Sequence, residues 1–402
     1  MHRFSLLALS ALTLAACQDA VAPTPQTDAP APRLSVASVG DETAEPIAGK
    51  YIVVFKDGVR DVPGVARALA RAHGGTVRFT YQRALRGFAA DLPDRAAVAL
   101  AHNPNVAYVE QDQVMHAFTT EANATWGIDR IDQHNLPLST TYTYTNTGAG
   151  VTAYIIDTGI RFDHSEFGGR AVSGFDAVTS GGNAADCNGH GTHVSGTVGG
   201  ATYGVAKGVR LVAVRVLGCT GSGSTSGVIA GIDWVTSNHA TGQPAVANMS
   251  LGGSASTALD NAVRNSIADG VSYAIAAGNG NQGGIAQDAC KYSPARVAEA
   301  MTIGATDKTD RKASWSNYGN CVDWFAPGVS ITSAWYTSTT ATNTISGTSM
   351  ATPHTTGVAA LYLQTNPGAS PQQVRDALYA NTTKGVVTSS KTTNNHLLFT
   401  SY

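Results

Sequence analysis

Charge is scarce in this chain: Asp, Glu, Lys and Arg make up 13% of its 402 residues, against about a quarter in an average soluble domain. The 26 basic and 28 acidic side chains nearly cancel, leaving a net charge of −2. Without a basic excess, nucleic acid is not expected as a partner. A long apolar run is also missing, since Phe4 to Ala16 is too short to cross a bilayer as a helix. No internal repeat of fixed period is present. What the chain has in quantity is apolar residues, 43%, and glycine, 43 residues. That composition excludes intrinsic disorder for most of the chain, and the length implies two or three folded units.

Met1 to Ala16 has a short basic start (His2, Arg3), an apolar centre (Leu6 to Leu14) and small residues at its end. This is the layout of a secretory signal, so export is expected. The run Leu14, Ala15, Ala16, Cys17 resembles a bacterial lipobox, which would lipidate Cys17 and hold the precursor at a membrane. A plain signal with a chance cysteine is the alternative. Five cysteines would leave an odd thiol in an oxidising compartment; without Cys17 the remaining four, Cys187, Cys219, Cys290 and Cys321, can form two bridges.

Residues 18–48 carry five prolines and no periodic apolar pattern, and read as a linker. A small unit over 49–118 follows. Lys50 to Lys56, Thr76 to Tyr81, Gly87 to Leu92 and Val106 to Gln111 read as strands, while Val62 to His73 and Asp94 to His102 read as helices. That order is a ferredoxin-like split βαβ unit. Over 119–402 near-continuous apolar runs (Val151 to Ile156, Leu211 to Leu217, Ala245 to Leu251, Val271 to Ala277, Ala300 to Ala305) alternate with helical patterns at Ser224 to His239, Thr257 to Asp269, Ser349 to Gln364 and Pro371 to Asn381. Alternation of this kind predicts an α/β fold with a doubly wound parallel sheet buried on both faces.

In such a sheet, ligands bind beyond the carboxyl ends of the strands. Asp157, the stretch Ser250 to Gly253 and Asn279 fall there. Two loop-to-helix junctions, NGHGTHVSGTVGG (Asn188 to Gly200) and SGTSMATPH (Ser346 to His354), would point at the same rim. Ser349 at a helix start, with Pro353 tolerated in the first turn, is placed as a nucleophile, because free helix amides favour developing negative charge. By itself such a serine is more often an N-cap. A hydroxyl nucleophile needs a base, the base needs an orienting carboxylate, and the oxyanion needs donors. His190, Asp157 and Asn279 supply one of each.

The residues DTGI (Asp157 to Ile160), GHGTHVSGT (Gly189 to Thr197), NMSLGG (Asn248 to Gly253), AAGN (Ala276 to Asn279) and GTSMATPH (Gly347 to His354) resemble the subtilisin-like serine proteases, within them the proteinase K and aqualysin branch. The order Asp, His, Ser is also that family's. The small unit, with KYIVVFK as opening strand, resembles the family's inhibitor-like propeptide, implying a self-processing precursor cut near Phe118. The resemblance implies Asp157 as orienting carboxylate, His190 as base and acid, Ser349 as nucleophile, and Asn279 with the Ser349 amide as oxyanion donors. Gly221, Ser222, Gly223 and Ser250, Leu251, Gly252 would flank an extended peptide as a strand, giving broad specificity. Leu251, Gly252, Ala277 and Gly278 would wall an S1 pocket suited to large apolar or aromatic side chains. Also implied are bridges Cys187–Cys219 and Cys290–Cys321, and a structural, non-catalytic Ca2+ on the carbonyls of Ala298 and Ala300 and the carboxylate of Asp323. A second site would use Asp129, Asp132 and Gln133, but Ser139 and Thr141 stand where related sequences place further ligands. Protein substrates and the chain's own propeptide are the expected partners, and the mature form is expected to be a secreted monomer.

Other readings are weaker on the residues. His190 and His193 lack the i, i+4 spacing and the Glu of a HExxH metal site, so His193 and His354 are expected to be structural. Cys187 could be a thiol nucleophile, but Cys219 offers it a partner. Gly221 to Gly227 lacks the Lys of a P-loop. An α/β-hydrolase esterase using Ser349, Asp376 and His396 would keep that fold's chain order, yet GTSMA lacks the final Gly of GxSxG. A non-catalytic binding protein on a protease scaffold would normally show a broken triad.

Overall fold

The computed structural model describes residues 33–35, 46–113 and 119–402. The signal-like segment, Cys17, most of the proline-bearing stretch and Phe118 lie outside the described residues. The chain separates into two compact units between Val114 and Met115.

In the first unit β1 (Arg33–Ser35), β2 (Pro46–Phe55), β3 (Thr76–Tyr81), β4 (Gly87–Asp91) and β5 (Val106–Gln113) form one sheet in the order β1-β5-β2-β4-β3. Helices α1 (Val62–Ala72) and α2 (Asp94–Ala101) bury Val62, Ala66, Ala70, Ala97 and Leu100 with Val53, Phe88 and Val109. Asp61 caps α1 by accepting the Gly64 amide, as a short acceptor side chain at a helix start does. The split βαβ order is present, with one addition. Arg33–Ser35, within the stretch read as linker, pairs in parallel with Tyr108 to Glu110. Three residues of backbone pairing leave no periodic side-chain pattern, which is why the sequence concealed the strand.

The second unit opens with the hairpin strand β6 (Thr119–Ala122), helix α3 (Trp126–Ile131) and β7 (Thr141–Tyr144). A nine-stranded sheet follows. It comprises β8 (Thr152–Asp157), β9 (Ala171–Asp176), β10 (Arg210–Arg215), β11 (Ala245–Met249), β13 (Ser272–Ala276), β15 (Met301–Thr306), β16 (Trp324–Pro327), β19 (Thr383–Lys384) and β20 (His396–Leu397). The small pairs β12 (Gly253–Ser254) with β14 (Tyr292–Ser293) and β17 (Ile331–Ala334) with β18 (Thr342–Ile345) stand outside it. The order is β19-β20-β16-β15-β13-β11-β8-β10-β9, and every pairing from β9 to β20 is parallel. Helices α4 (His190–Gly199) and α7 (Thr348–Thr365) pack on one face, α5 (Thr225–Asn238) and α6 (Thr257–Asp269) on the other, and α8 (Pro371–Asn381) packs against α7. Burial on both faces explains why the strands read as runs of Val, Ile and Ala. The strand order reverses between β10 and β11, on either side of β8. The carboxyl end of β8 is therefore the switch point, where a doubly wound sheet opens a crevice.

Two features close this unit across its sequence. Arg130 is fully buried in α3 and pairs with Asp310 through Nε–Oδ1 at 2.7 Å and Nη2–Oδ2 at 3.0 Å. The Thr145 amide donates to the Tyr402 carbonyl, and the Thr400 amide to Ile131. Removing one partner of a buried ion pair strands the other charge, so Asp310→Ala should lower stability by about 3–5 kcal/mol. Thermal unfolding of the second unit, carrying Ser349→Ala, would show this as a large drop in Tm. An unchanged Tm would contradict it.

Candidate active site

Strand β8 delivers Asp157 to the switch point with no solvent exposure. Its Oδ1 accepts the Thr158 amide at 2.7 Å and His190 Nδ1–H at 2.7 Å. That bond fixes the imidazole tautomer and leaves Nε2 for the cleft. His190 is the first residue of α4. The capping residue is Gly189, with φ +109°, and a Cβ on it would stand only 2.5 Å from the Trp335 ring, so no side chain is admissible there. Burial draws the His190 pKa down, but the charge and hydrogen bond of Asp157, together with the charge of Asp186, outweigh it and leave it raised above the ordinary 6.5.

Ser349 is the second residue of α7. Pro353 sits at the sixth position, not in the first turn as the sequence suggested, and the helix runs on through it. A proline there has no N–H for the carbonyl four residues back, which is that of Ser349. Ser250 Oγ–H donates to this carbonyl at 2.8 Å, and Ser349 Oγ–H donates back to the Ser250 carbonyl at 3.0 Å. Behind Ser250, Thr356 Oγ1 donates to Asn248 Oδ1 and Asn248 Nδ2 donates to Ser250 Oγ, both at 2.9 Å. Thr356, Asn248 and Ser250 are all buried. The Ser349 hydroxyl therefore rests on a carbonyl, and a rotation about χ1 would redirect it.

Asn279 follows β13. Its Oδ1 accepts the Thr348 amide at 2.8 Å and Thr348 Oγ1 at 2.9 Å. With the oxygen so occupied, Nδ2 is turned away from Thr348 as a donor. The loop before it is pinned by Asn317, whose Nδ2 donates to Ala277 O at 2.8 Å and whose Oδ1 accepts the Gly280 amide at 3.0 Å. Gly278 has φ +99°, and a Cβ would stand 2.5 Å from Asn317 Nδ2; only glycine satisfies both constraints. Thr348 and Asn317 were not singled out in the sequence. Thr348 had a signal, a hydroxyl inside GTSMATPH beside the serine; Asn317 had none, because its role depends on a loop brought back from a distance.

His190 and Ser349 line one cleft with Gly221, Ser222, Gly223 on one side and Ser250, Leu251, Gly252 on the other. A pocket of about 270 Å³ opens beside Ser349, lined by Leu251, Gly252, Ala277, Gly278 and Asn279, and also by Ser254, Tyr292 and Ala295. Among the described residues no Asp, Glu, Lys or Arg lines either space. Asp376 lies exposed on α8 and accepts Gln372 Nε2, while His396 lies on β20; neither reaches the cleft, so the geometry gives the esterase reading no support.

Cys187–Cys219 and Cys290–Cys321 are bonded, so Cys187 is not a free thiol; Arg215 Nη2 stands 3.1 Å from its sulfur. Burial pushes the pKa of His193 and of His354 down to about 4, and their nitrogens meet the Ile331 and Met350 carbonyls. Among the described residues no three or more His, Cys, Asp or Glu are grouped to hold a metal. The donors expected for calcium, the carbonyls of Ala298 and Ala300 and the Asp323 carboxylate, are all hard oxygens, which suits that ion. Asp323 Oδ1 pairs with Arg375 Nη2, however, and Oδ2 accepts the Thr302 amide at 2.7 Å. A cation there would share the carboxylate with a guanidinium. At the second anticipated group, Asp129 accepts Ser139 N, Ser139 Oγ and Thr140 N, and Gln133 Oε1 accepts Ser139 N. Ser139 thus donates to two of the three anticipated ligand groups, Asp129 and Gln133.

Residues 148–398 match the model of the Subtilase family, and residues 50–118 that of Peptidase inhibitor I9. The chain is 54% identical to an extracellular serine proteinase of a Thermus species over 98% of both chains. It is also 54% identical to alkaline serine exoprotease A of Vibrio alginolyticus, over 80% of this chain and 60% of that protein. A crystal structure of a cold-adapted subtilisin-like serine proteinase superposes with a TM-score of 0.66 at 56% identity, covering 69% of this chain and 98% of the other.

If Asn279 Nδ2 stabilises an oxyanion, Asn279→Ala should lower kcat by about 100- to 1000-fold with KM little changed. Thr348→Val, which removes one of the two donors holding Oδ1, should give a smaller loss of the same kind. Steady-state kinetics on a peptide anilide would check both, and equal losses in kcat and gains in KM would count against the role.

Proposed function

The chain belongs to the subtilase family of serine proteases and carries the inhibitor-type unit of their precursors, and from this premise we propose that Asp157, His190, Ser349 and Asn279 cleave peptide bonds of extended protein substrates. The observation carrying the assignment is the 2.7 Å bond from His190 Nδ1 to buried Asp157, with Ser349 on the same cleft. In this reading Ser349 Oγ attacks the scissile carbonyl carbon and its proton passes to His190 Nε2. Asn279 Nδ2 and the Ser349 amide donate to the oxyanion. The imidazolium, stabilised by Asp157, returns the proton to the leaving amine, and a water repeats the sequence on the acyl-enzyme.

Backbone edges at Gly221 to Gly223 and Ser250 to Gly252 support broad specificity, since main-chain pairing ignores side chains. The uncharged pocket beside Ser349 supports a large apolar or aromatic P1. The precursor is read as cutting itself near Phe118, with the first unit acting as folding aid and inhibitor, and releasing a monomer. Lipidated Cys17 would hold only the uncut form at a membrane. Calcium is proposed as a structural ion on Ala298, Ala300 and Asp323, in competition with Arg375.

Ser349→Ala should abolish hydrolysis, by about a millionfold in kcat as for loss of the nucleophile in subtilisin. The secreted product should then stay uncut, and with a lipid anchor it should partition with membranes. Full activity on casein would overturn the assignment. Because His190 acts as a base when neutral and its pKa is raised, kcat/KM should fall on acidification through a pH above 6.5. An acid limb lying below that value would conflict with the geometry.

A ligand bound only by the folded state raises its stability by mass action. EGTA should therefore lower the Tm of the mature unit, and Arg375→Ala should enlarge the calcium-dependent part. A Tm indifferent to EGTA in the parent would show that the Arg375 pair serves alone.

A further inference from the structure

Asp186, four residues before His190, has no part in the chemistry just described. Its carboxylate accepts five hydrogen bonds. Oδ1 takes Thr158 Oγ1 at 2.9 Å, the Asn188 amide at 2.9 Å and the Gly189 amide at 3.0 Å. Oδ2 takes the Thr192 amide at 3.0 Å and Thr192 Oγ1 at 2.6 Å. These donors come from the two segments that carry the dyad: Thr158 directly follows Asp157, and residues 188–192 surround His190. The link is double, because Thr158 Oγ1 also accepts the Gly191 amide at 2.8 Å and Thr192 Oγ1 the Arg161 amide at 3.0 Å.

The helix explains why this carboxylate is needed. Helix α4 starts with free amides like any helix, but Gly189 gives it no side-chain cap and Trp335 forbids one. Asp186 meets the Thr192 amide from outside the helix, while Thr158 Oγ1 takes the Gly191 amide and Asn188 Oδ1 the His190 amide; it also places a negative charge at the amino end, the favourable end of the dipole. The same charge acts on the His190 imidazole. Charged and titratable groups around His190 are few. Asp157 faces it from β8, Asp186 from the preceding loop, and His193 follows one turn along α4. Arg161 is turned to Asp163 and Tyr336 O, and Arg215 to Asp176.

We propose that Asp186 is a positioning residue for the Asp157–His190 pair: it locks the end of β8 to the start of α4 and supplies a second negative charge that favours the imidazolium. The role rests on the peptidase reading, but its test does not need hydrolysis. In the inactive Ser349→Ala background, NMR titration of His190 should give a lower pKa for Asp186→Asn than for the parent, because one stabilising charge is gone. In the active protein, Asp186→Asn should lower kcat by about 10- to 100-fold, the scale of a small misplacement, with KM little changed and the acid limb of kcat/KM moved to lower pH. If Asp186→Asn does not fold, Thr158→Val against Thr158→Ser decides: the first should lose kcat and the second, which keeps the hydroxyl, should recover it. An unchanged His190 titration in Asp186→Asn, or a Thr158→Val as active as wild type, would overturn the proposal. Loss of the peptidase reading alone would leave the NMR shift in place.

Discussion

Asp157 has no solvent exposure, and a carboxylate taken out of water is tolerated only where donors meet it. Within hydrogen-bond reach it has the amide of Thr158 and the ring of His190. The imidazole is therefore part of what makes the strand end acceptable in its buried position. Much else in the site follows from that requirement. Helix α4 must begin at His190, so its cap position must be a glycine that fits against Trp335. Its first-turn amides then need acceptors from elsewhere, which Asn188, Thr158 and Asp186 provide.

A parallel constraint governs the serine. Pro353 removes one bond from α7, and the carbonyl it leaves over belongs to Ser349. An orphaned buried carbonyl costs about 1–3 kcal/mol, and Ser250 meets it. The chain Thr356, Asn248, Ser250 then connects the Ser349 backbone to the interior of the helix and to β11. On the other side, Thr348 consumes the acceptor of Asn279 and thereby aims its donor. Ser349 and Asn279 are thus each held by a partner that satisfies a local polar requirement.

The doubly wound sheet was legible because strands buried on both faces leave continuous apolar runs such as AYII in β8 and LVAV in β10. Strands at or near the edge were not: β9 reads AVSGFD and β16 reads WFAP, too short or too interrupted to carry a period. Helix starts at Gly189 and Gly347 were readable from the glycine that precedes each. The supporting partners were not, because Asn317, Thr356 and Arg375 acquire meaning only when remote segments meet. Asp323 shows the limit most directly. Its oxygen chemistry could be read from the chain, whereas the guanidinium that shares it comes from α8, 52 residues later.

Arg130 with Asp310, and Thr145 with Tyr402, join parts of the second unit that are far apart along the chain. Such contacts, in a parallel sheet whose order reverses at its centre, give it a high contact order. Chain entropy must be surrendered before these pairings return any stabilisation, so folding of this unit is intrinsically slow. Its exposed apolar strands would persist meanwhile as aggregation-prone surface. The first unit has a long return of its own, since β5 pairs with β1 and β2, but it is far shorter and leaves the ribosome earlier. The two units are thus made in succession, the shorter one emerging whole before the last strands of the longer one exist.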